Sequence, residues 1–238
     1  MITSLTNDKI KKIIKLKDAK YRENEKCFIV EGPHLVLEAK KMNLLLETFT
    51  IDENIDGTLV SEAVMKKICN TVNPIKCIGI CKINNNNSIS NNVLILDNIS
   101  DPTNLGTILR SAKAFGFDTV FSSYGTVDYY NDKVIRGSQG AIFKLSLLKG
   151  DIIDFINKLK ETHLVYATDV VNGIDVSNIS NADKIAIVLG NEARGVSKEV
   201  KDIALANIYI PMDNMESLNV SVAASILMYE RKKRISKN

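Results

Sequence analysis

Three short polar segments of this 238-residue chain carry the residue types most suited to chemistry, and each follows an apolar run. Asn104 and Arg110 lie in the first, Glu192 in the second, and Ser217 and Asn219 in the third. Amide, hydroxyl and charged side chains can bind and orient a polar ligand through hydrogen bonds and ion pairing. Asn104 is predicted to lie in the first turn of a helix and Arg110 almost two turns on, so both can reach a ligand at the helix mouth.

Several common chemistries are excluded by what the motifs lack. No G-x-G-x-x-G follows a strand and no G-x-x-x-x-G-K is present, which argues against ordinary dinucleotide or nucleoside triphosphate binding. Cys77 and Cys81 suggest an iron-sulfur pattern, but its third cysteine is replaced by Asn84, and His34 and His163 are the only histidines. We therefore predict no metal and expect reduced cysteines.

The elements that must position the polar segments alternate regularly. Apolar strand-like runs are separated by several helical patterns, and Asp101-Pro102 is typical of the start of a helix, here extending to about Phe115. This alternation predicts an α/β fold, with a parallel sheet covered by helices on both faces and ligands at the carboxyl ends of the strands. The predicted strands are residues 93–96, 119–122, 144–147, 164–167, 185–189 and 208–210.

Taken singly, the same residues have simpler explanations. Asn104 could cap the helix in which it lies, Gly190 and Gly195 could serve tight turns, and Ser217 could cap a last helix at about residues 220–229. Glu192 could be a loop carboxylate without a chemical role. These alternatives stay open at the level of residue types.

The positive charge is concentrated near the N-terminus. The net charge is +3; residues 1–92 hold 14 basic and 11 acidic residues, and residues 93–238 hold 17 of each. Isoleucines at helical spacing within residues 10–14 predict a helix with one buried stripe and a basic outer face. Such a face, with Lys12, Lys15 and Arg22 as candidates, suits a nucleic-acid phosphate backbone, although an ordinary solvated lysine-rich helix explains it equally well.

The chain divides at an asparagine-rich stretch. Residues 84–92 are predicted to form a linker between a small α/β domain at 1–83 and a larger domain at 93–238. No apolar run approaches the roughly 18 to 20 residues of a membrane span, and no signal peptide is evident, so we expect a cytoplasmic protein that does not interact with membranes.

The polar segments, taken in order, resemble the SpoU, or TrmH-like, RNA ribose 2′-O-methyltransferases. The likeness covers residue 93 to about residue 231 and is highly specific. It departs from the family in two ways: Asn214 stands where the family usually has a glycine, and the gap from Met212 to Ser217 is one residue shorter. The residues that match are Asn104, Arg110 and Phe115-Gly116 in the first motif, Gly190, Glu192 and Gly195 in the second, and Ile210-Pro211-Met212 with Ser217-Leu218-Asn219-Val220-Ser221 in the third.

The resemblance implies a SPOUT-type fold with a C-terminal trefoil knot, a homodimer, and a small N-terminal L30e-like domain that grips RNA. Residues 2–5 and 28–32 carry the N-terminal likeness. It further implies S-adenosylmethionine as the methyl donor, with no metal. The residues that would bind this cofactor are Leu189, Gly190, Ile210, Met212 and Leu218.

The implied reaction is methylation of a ribose 2′-hydroxyl, with ribosomal RNA as the favoured substrate. Arg110 would hold an RNA phosphate, Glu192 would orient a partner group, and Asn104, Ser217 and Asn219 would position the ribose or cofactor. Residues 131–140 also resemble the family, and Arg136 and Ser138 become RNA-binding candidates. Transfer RNA as the substrate, or an inactive RNA-binding or ribosome-assembly factor, are the alternatives.

Overall fold

A computed structural model of the protein describes residues 1–71, 75–170 and 172–235. The chain forms two sheets, the first from the N-terminal part of the sequence and the second from the C-terminal part. The N-terminal unit, defined here as all elements up to β4, has a four-stranded sheet of order β1-β4-β2-β3. Its elements are α1 (Asp8–Lys15), α2 (Ala19–Glu25), β1 (Cys27–Glu31), α3 (Pro33–Lys41), β2 (Leu45–Thr50), β3 (Thr58–Leu59), α4 (Glu62–Ile68) and β4 (Cys77–Lys82).

The C-terminal unit, from β5 onward, has a seven-stranded sheet of order β7-β6-β5-β10-β8-β11-β9 in which neighbouring strands are parallel. Two short 3₁₀ turns occur at Ala141–Phe143 and Val176–Asn178. The remaining elements are β5 (Asn92–Asp97), α5 (Pro102–Phe115), β6 (Thr119–Ser123), α6 (Asp132–Ser138), β7 (Ser146–Gly150), α7 (Ile152–Leu159), β8 (Leu164–Thr168), β9 (Ile174–Asp175), β10 (Ile185–Gly190), α8 (Lys198–Ile203), β11 (Ala206–Tyr209) and α9 (Val220–Ile235).

The central strand β5 shows why a continuous apolar run gives a sheet covered on both faces. Leu94 and Leu96 pack into one core with α5 and α9, whereas Val93 and Ile95 pack into a second core with α7 and α8. Successive side chains of a strand point to opposite faces, so burial on both sides requires apolar residues at every position. The predicted parallel sheet with helices on both faces is confirmed.

One predicted strand was misplaced. Residues 144–147 were expected to be extended, but the chain makes a 3₁₀ turn at Ala141–Phe143, and the strand begins at Ser146. Short apolar stretches do not distinguish a buried turn from a strand, because both bury the same residue types.

The asparagine-rich segment lies along the amino ends of the second sheet. Residues 83–90 have no regular secondary structure, and β5 begins at Asn92. The Asn86 carbonyl accepts a hydrogen bond from the Ser146 hydroxyl, and the Ser88 carbonyl accepts one from Thr119. The segment is therefore bonded to the starts of β6 and β7.

The two units are held together by charge pairs and an aromatic cluster. The Phe28 ring lies 4.6 Å from Tyr130 and 6.1 Å from Phe143, centroid to centroid. Lys144 Nζ donates to Glu38 at 2.6 Å, and hydrogen bonds from this lysine and from Lys41 lower the pKa of Glu38 to about 2. The N-terminal unit thus has defined contacts with the C-terminal sheet.

Arg22 makes the most extensive polar contact between the units. Its guanidinium donates to Asp128 through Nε at 3.2 Å and through Nη2, and its Nη1 donates to the Leu16 and Lys17 carbonyls at 2.9 and 2.8 Å. The side chain of Arg22 is only 10% exposed. One guanidinium therefore connects the end of α1 to the loop before α6.

We predict that Arg22→Ala lowers the free energy of unfolding by about 2 kcal/mol, because hydrogen bonds to charged groups contribute about 1.5–3 kcal/mol and the partner carbonyls would lose their donor. Urea unfolding followed by circular dichroism measures the change. Lys12→Ala, which removes an exposed cation from the same region, should change the value by less than about 0.5 kcal/mol. Equal effects of the two substitutions would contradict this account of Arg22.

Candidate functional site

Glu192 lies where the loops after β5 and β10 meet, and its carboxylate accepts hydrogen bonds from both. Oε2 accepts from the Ser100 hydroxyl at 2.9 Å and from the Ser100 backbone at 3.3 Å, and Asn191 Nδ2 donates to the same oxygen at 3.3 Å. Oε1 accepts from the Asp101 backbone at 3.2 Å and from Asn104 Nδ2 at 3.1 Å. The carboxylate thereby connects two loops and the first turn of α5.

These hydrogen bonds favour the charged form of Glu192. Partial burial acts in the opposite direction, but the donors outweigh it: the residue's own backbone N–H, the Asn104 amide, the Asp101 backbone and the Ser100 hydroxyl. The pKa of Glu192 is consequently lowered from its ordinary value. Glu192 is an acceptor-only carboxylate at neutral pH.

Asn104 extends the hydrogen-bond network to the loop between β11 and α9, called the third loop below. Its Oδ1 accepts from Asn219 Nδ2 at 3.1 Å, and Asn219 Oδ1 accepts from the backbone and hydroxyl of Ser221 at 2.9 and 2.7 Å. Two capping explanations are wrong: Asp101 caps α5 by accepting from residues 103 and 104, and α9 begins at Val220, directly after Asn219 rather than after Ser217.

A cavity of about 570 Å³ lies beside this network, at the carboxyl ends of β8, β10 and β11. Its volume falls within the roughly 300–1,000 Å³ of small-molecule sites. Glu192, Ser217 and Asn219 also line it. The structure brings all five residues predicted to bind a cofactor to its wall: Leu189, Gly190, Ile210, Met212 and Leu218.

Gly190 is required by the tight turn that forms one wall of the cavity. The backbones of Asn191 and Gly195 exchange hydrogen bonds of 3.1 and 2.8 Å, which closes the loop on itself. A Cβ on Gly190 would lie 2.0 Å from the carbonyl carbon of Gly195 and from the nitrogen of Val196. Because both are backbone atoms, no side chain fits at position 190.

Asn214, which departs from the family pattern, has a backbone angle φ of 57°. Left-handed φ is readily adopted by glycine and, among other residues, most often by asparagine or aspartate. An asparagine can therefore keep the turn that a glycine would make in the third loop.

Arg110 lies on the exposed side of α5 and does not line the cavity. Arg110 lies six positions after Asn104, which is about 9 Å along the helix axis. Within the described ranges of the chain, its guanidinium forms no ion pair or hydrogen bond. Its donors are thus available to a ligand outside the cavity.

The RNA-binding candidates separate into two groups. Lys12 and Lys15 are exposed on α1, where Lys15 Nζ lies 5.6 Å from the centroid of the Tyr21 ring, and Arg136 is half-buried in an ion pair with Asp132. Basic side chains in these positions remain accessible to a phosphate.

Arg22 and Ser138 require correction. Arg22 is buried in the contact with Asp128, and Ser138 is fully buried with its hydroxyl donating to the Ile135 carbonyl at 2.8 Å. Groups that are buried and already hydrogen-bonded cannot meet RNA without unfolding their surroundings. Both residues contribute to packing rather than to an RNA surface in this structure.

Several polar residues of the site were missed by the sequence analysis. Asp97, only 2% exposed at the end of β5, accepts from the Ser197 backbone at 2.8 Å, and Lys201 pairs with Asp169 at 2.8 Å on the cavity wall. The position of Asp97 at the end of an apolar strand was an available signal. The ion pair between Lys201 and Asp169 joins elements that are distant in sequence, so no sequence signal could have predicted it.

Two further expectations concern absences. Among the residues that the structure describes, no group of three or more histidine, cysteine, aspartate or glutamate side chains is arranged to hold a metal ion. No helix in the same ranges is long and apolar enough to cross a membrane.

Comparison with known proteins identifies both parts of the chain. Residues 91–229 match the SpoU rRNA Methylase family, and residues 7–79 match the MRM3-like substrate binding domain. The chain is 33% identical over 241 residues, covering 96% of this chain and 97% of the relative, to the 23S rRNA (guanosine(2553)-2'-O)-methyltransferase RlmP of Bacillus subtilis.

Solved structures agree with this result. The AdoMet-bound rRNA methyltransferase from Sinorhizobium meliloti superposes with a TM-score of 0.88 at 26% identity, covering 98% of this chain and 97% of that one. The SpoU methyltransferase AviRb from Streptomyces viridochromogenes gives a TM-score of 0.84 at 18% identity, covering 96% and 98%, and shows the fold alone.

The fold and site define an α/β protein whose ligand cavity lies at the carboxyl ends of parallel strands, beside a carboxylate-centred network. The chain belongs to the SpoU rRNA methylase family, as its motifs indicated.

We predict that Glu192→Gln destabilises the protein in a pH-dependent way. A carboxylate whose pKa is lowered by folding stabilises the folded state above its unfolded pKa, about 4.3, and loses that contribution as the pH falls through the lower folded pKa. The melting temperature of the variant should thus lie below that of the wild type at pH 7, with a difference that shrinks below about pH 4.

Melting curves between pH 3 and 7 measure this difference. Glu199→Gln is the matched control, since Glu199 is exposed and its carboxylate makes no hydrogen bond within the described residues. A difference for Glu192→Gln that stays constant across the pH range would contradict the assigned network.

Proposed function

We propose that this protein transfers the methyl group of S-adenosylmethionine to a ribose 2′-hydroxyl of ribosomal RNA, most specifically of 23S-type RNA. The observation that carries the proposal is the cavity whose wall holds Glu192, Ser217 and Asn219 next to Asn104 on α5. The name of the Bacillus subtilis relative, together with its coverage of nearly the whole chain, supports the RNA class.

The cavity wall suits an adenosine. Leu189, Ile210 and Leu218 give it apolar surface, and Gly190 leaves backbone groups accessible because no side chain covers them. Apolar walls with a few placed polar groups are typical of nucleoside-sized ligands. When bound, the cofactor supplies a sulfonium methyl group that is already activated by positive charge, so the proposal needs no metal.

Arg110 is proposed to hold the RNA phosphate beside the reacting ribose. A guanidinium cannot act as a base at neutral pH, but it can bind a phosphate bidentately. Its position on the exposed side of α5, about two turns from Asn104, would place the phosphate outside the cavity and the ribose at its mouth. The phosphate or a water molecule would accept the hydroxyl proton.

The remaining polar residues are proposed to position the reactants. Glu192 fixes the Asn104 amide, Asn104 in turn holds Asn219, and Ser217 contributes a hydroxyl to the cavity wall. Holding the ribose hydroxyl, a weak nucleophile, in line with the methyl group of the cofactor removes much of the entropic cost of the reaction.

The N-terminal unit is proposed to bind the RNA. We divide the chain into a substrate-binding domain at 1–83, a linker at 84–92 and a catalytic domain at 93–238, in line with the two family matches. Lys12 and Lys15 supply the basic surface of the first domain, and Arg136 adds a half-buried cation on the second.

Two further features of the family are proposed for this chain. A C-terminal trefoil knot would hold the loops around the cavity, and a homodimer would form through the same domain. Val222 and Tyr229, 47% and 51% exposed and seven residues apart on α9, give that helix an outward apolar side suited to a second copy. A cytoplasmic location is proposed because ribosomal RNA is the substrate.

Incubation of the purified protein with methyl-labelled S-adenosylmethionine and, in parallel reactions, ribosomal RNA or transfer RNA, followed by digestion to nucleosides, tests the reaction. Label in a 2′-O-methylnucleoside is the expected result. Label on a base would overturn the ribose assignment, label only in transfer RNA would change the substrate, and RNA binding without label would favour the assembly-factor alternative.

We predict that Arg110→Ala lowers methyl transfer by at least about 100-fold while S-adenosylmethionine affinity stays within about twofold, because a group that acts mainly in the transition state affects turnover more than cofactor binding. Arg110→Lys should recover part of the loss, since it keeps the charge but not the bidentate geometry. Single-turnover rates and calorimetry measure the two quantities. Near-normal turnover of Arg110→Ala would remove this residue from the mechanism.

We predict that reversing the charges of Lys12 and Lys15 to glutamate weakens RNA binding and lowers its salt dependence, because fewer counterions are released from the phosphates. Filter binding at several salt concentrations measures the slope. Reversal of Lys158 and Lys160, two exposed lysines of α7 and its C-cap, is the matched control. An unchanged slope for the Lys12 and Lys15 variant would leave α1 as a solvated face.

A further inference from the structure

Tyr124 is the most exposed aromatic residue in the described part of the chain, with 72% of its surface accessible to solvent. It follows β6 directly, in the loop that leads to α6. Most tyrosines of the C-terminal unit are buried or half-buried, and Tyr229 is the other exposed one. Exposing the apolar surface of a large aromatic ring to water is unfavourable in free energy, and a ligand that covers the ring removes this cost.

The loop that carries Tyr124 is held in place rather than free. Thr126 Oγ1 donates to the Leu96 carbonyl at 3.3 Å and accepts from the Ile99 backbone at 3.3 Å, and Lys149 Nζ donates to the Thr126 carbonyl at 2.9 Å. A ring on a fixed backbone can bind a flat ligand with little additional loss of entropy.

A short series of contacts joins this loop to Glu192. The backbone of Gly125 packs so closely on Asn98 that a Cβ there would lie 1.8 Å from Asn98 Oδ1. The Asn98 carbonyl accepts from Asn191 Nδ2 at 2.8 Å, and the same amide reaches Glu192. Tyr124 thus adjoins Gly125, which packs on Asn98, and Asn98 is linked through Asn191 to Glu192 at the carboxyl ends of the strands.

We propose that Tyr124 is a stacking platform for an unpaired RNA base close to the nucleotide whose ribose is methylated. Single-stranded RNA is bound largely by bases stacking on aromatic side chains, which accept any base because every base has a flat face. Arg110 would hold the backbone and Tyr124 would hold a base beside it. The inference rests on the proposed function, and it adds a requirement for unpaired RNA at the site.

The chain contains no tryptophan, so Tyr124→Trp introduces a single fluorescent reporter at the proposed platform. The probes are a 12-nucleotide single-stranded RNA of mixed sequence and the same strand annealed into a duplex. We expect saturable quenching of the indole by the single strand and much weaker quenching by the duplex, whose bases are already stacked.

Leu205→Trp is the matched control. Leu205 is 60% exposed, but it lies at the amino end of β11, whereas Tyr124 lies at the carboxyl end of β6. Its fluorescence should not change with either RNA. Tyr124→Ala should weaken single-strand binding about 5- to 30-fold, and Tyr124→Phe should bind nearly as the wild type, because stacking needs the ring and not the hydroxyl.

Absence of quenching at position 124, or wild-type RNA affinity of Tyr124→Ala, would overturn the proposal. So would dissociation of a dimer by Tyr124→Ala in sedimentation, because the ring would then be covered by a second copy. Methyl transfer by the wild type is measured in parallel. Methyl transfer that is absent in the wild type, together with quenching of Tyr124→Trp, contradicts the proposed function alone. Methyl transfer by the wild type without quenching of Tyr124→Trp contradicts the platform alone.

Discussion

One carboxylate fixes the geometry of the site. Glu192 accepts hydrogen bonds from the loop after β5, from its own loop after β10 and from the first turn of α5. Hydrogen bonds to an ionised acceptor are roughly twice as strong as neutral ones, so this group holds segments that are far apart in sequence. Asn104 links Glu192 to Asn219 at the start of α9, and this part of the chain also lines the cavity.

This arrangement separates the groups that are committed to structure from those that are available. Glu192, Asn104 and Asn219 satisfy one another, whereas Arg110 has no partner in the described ranges and stands outside the cavity. A preorganised wall with an unpaired cation beside it suits a reaction between a buried cofactor and an external polyanion. Arg22 on α2 donates both to Asp128 and to the Leu16 carbonyl at the end of α1, and it thereby fixes the basic helix α1 relative to this edge of the sheet.

The sequence predicted the elements better than the contacts. Continuous apolar runs correctly predicted the buried parallel strands, since residues such as those of β5 must be apolar on both faces. Charge alone misled at Arg22, because a cation can equally serve an ion pair between two units of one chain. The bonds that build the network join residues 88 and 115 positions apart, a distance at which periodicity carries no information. The order of the motifs predicted which residues form the network, but the hydrogen bonds between their atoms are seen only in the structure.

The proposed reaction can be tested in the cell by mapping ribose methylation in ribosomal RNA from a strain lacking this gene and from the same strain after the gene is restored. The proposed function predicts one 2′-O-methylated nucleotide of the large-subunit RNA that disappears with the gene and returns with the wild type but not with Arg110→Ala. An unchanged set of ribose methylations in ribosomal RNA would contradict it.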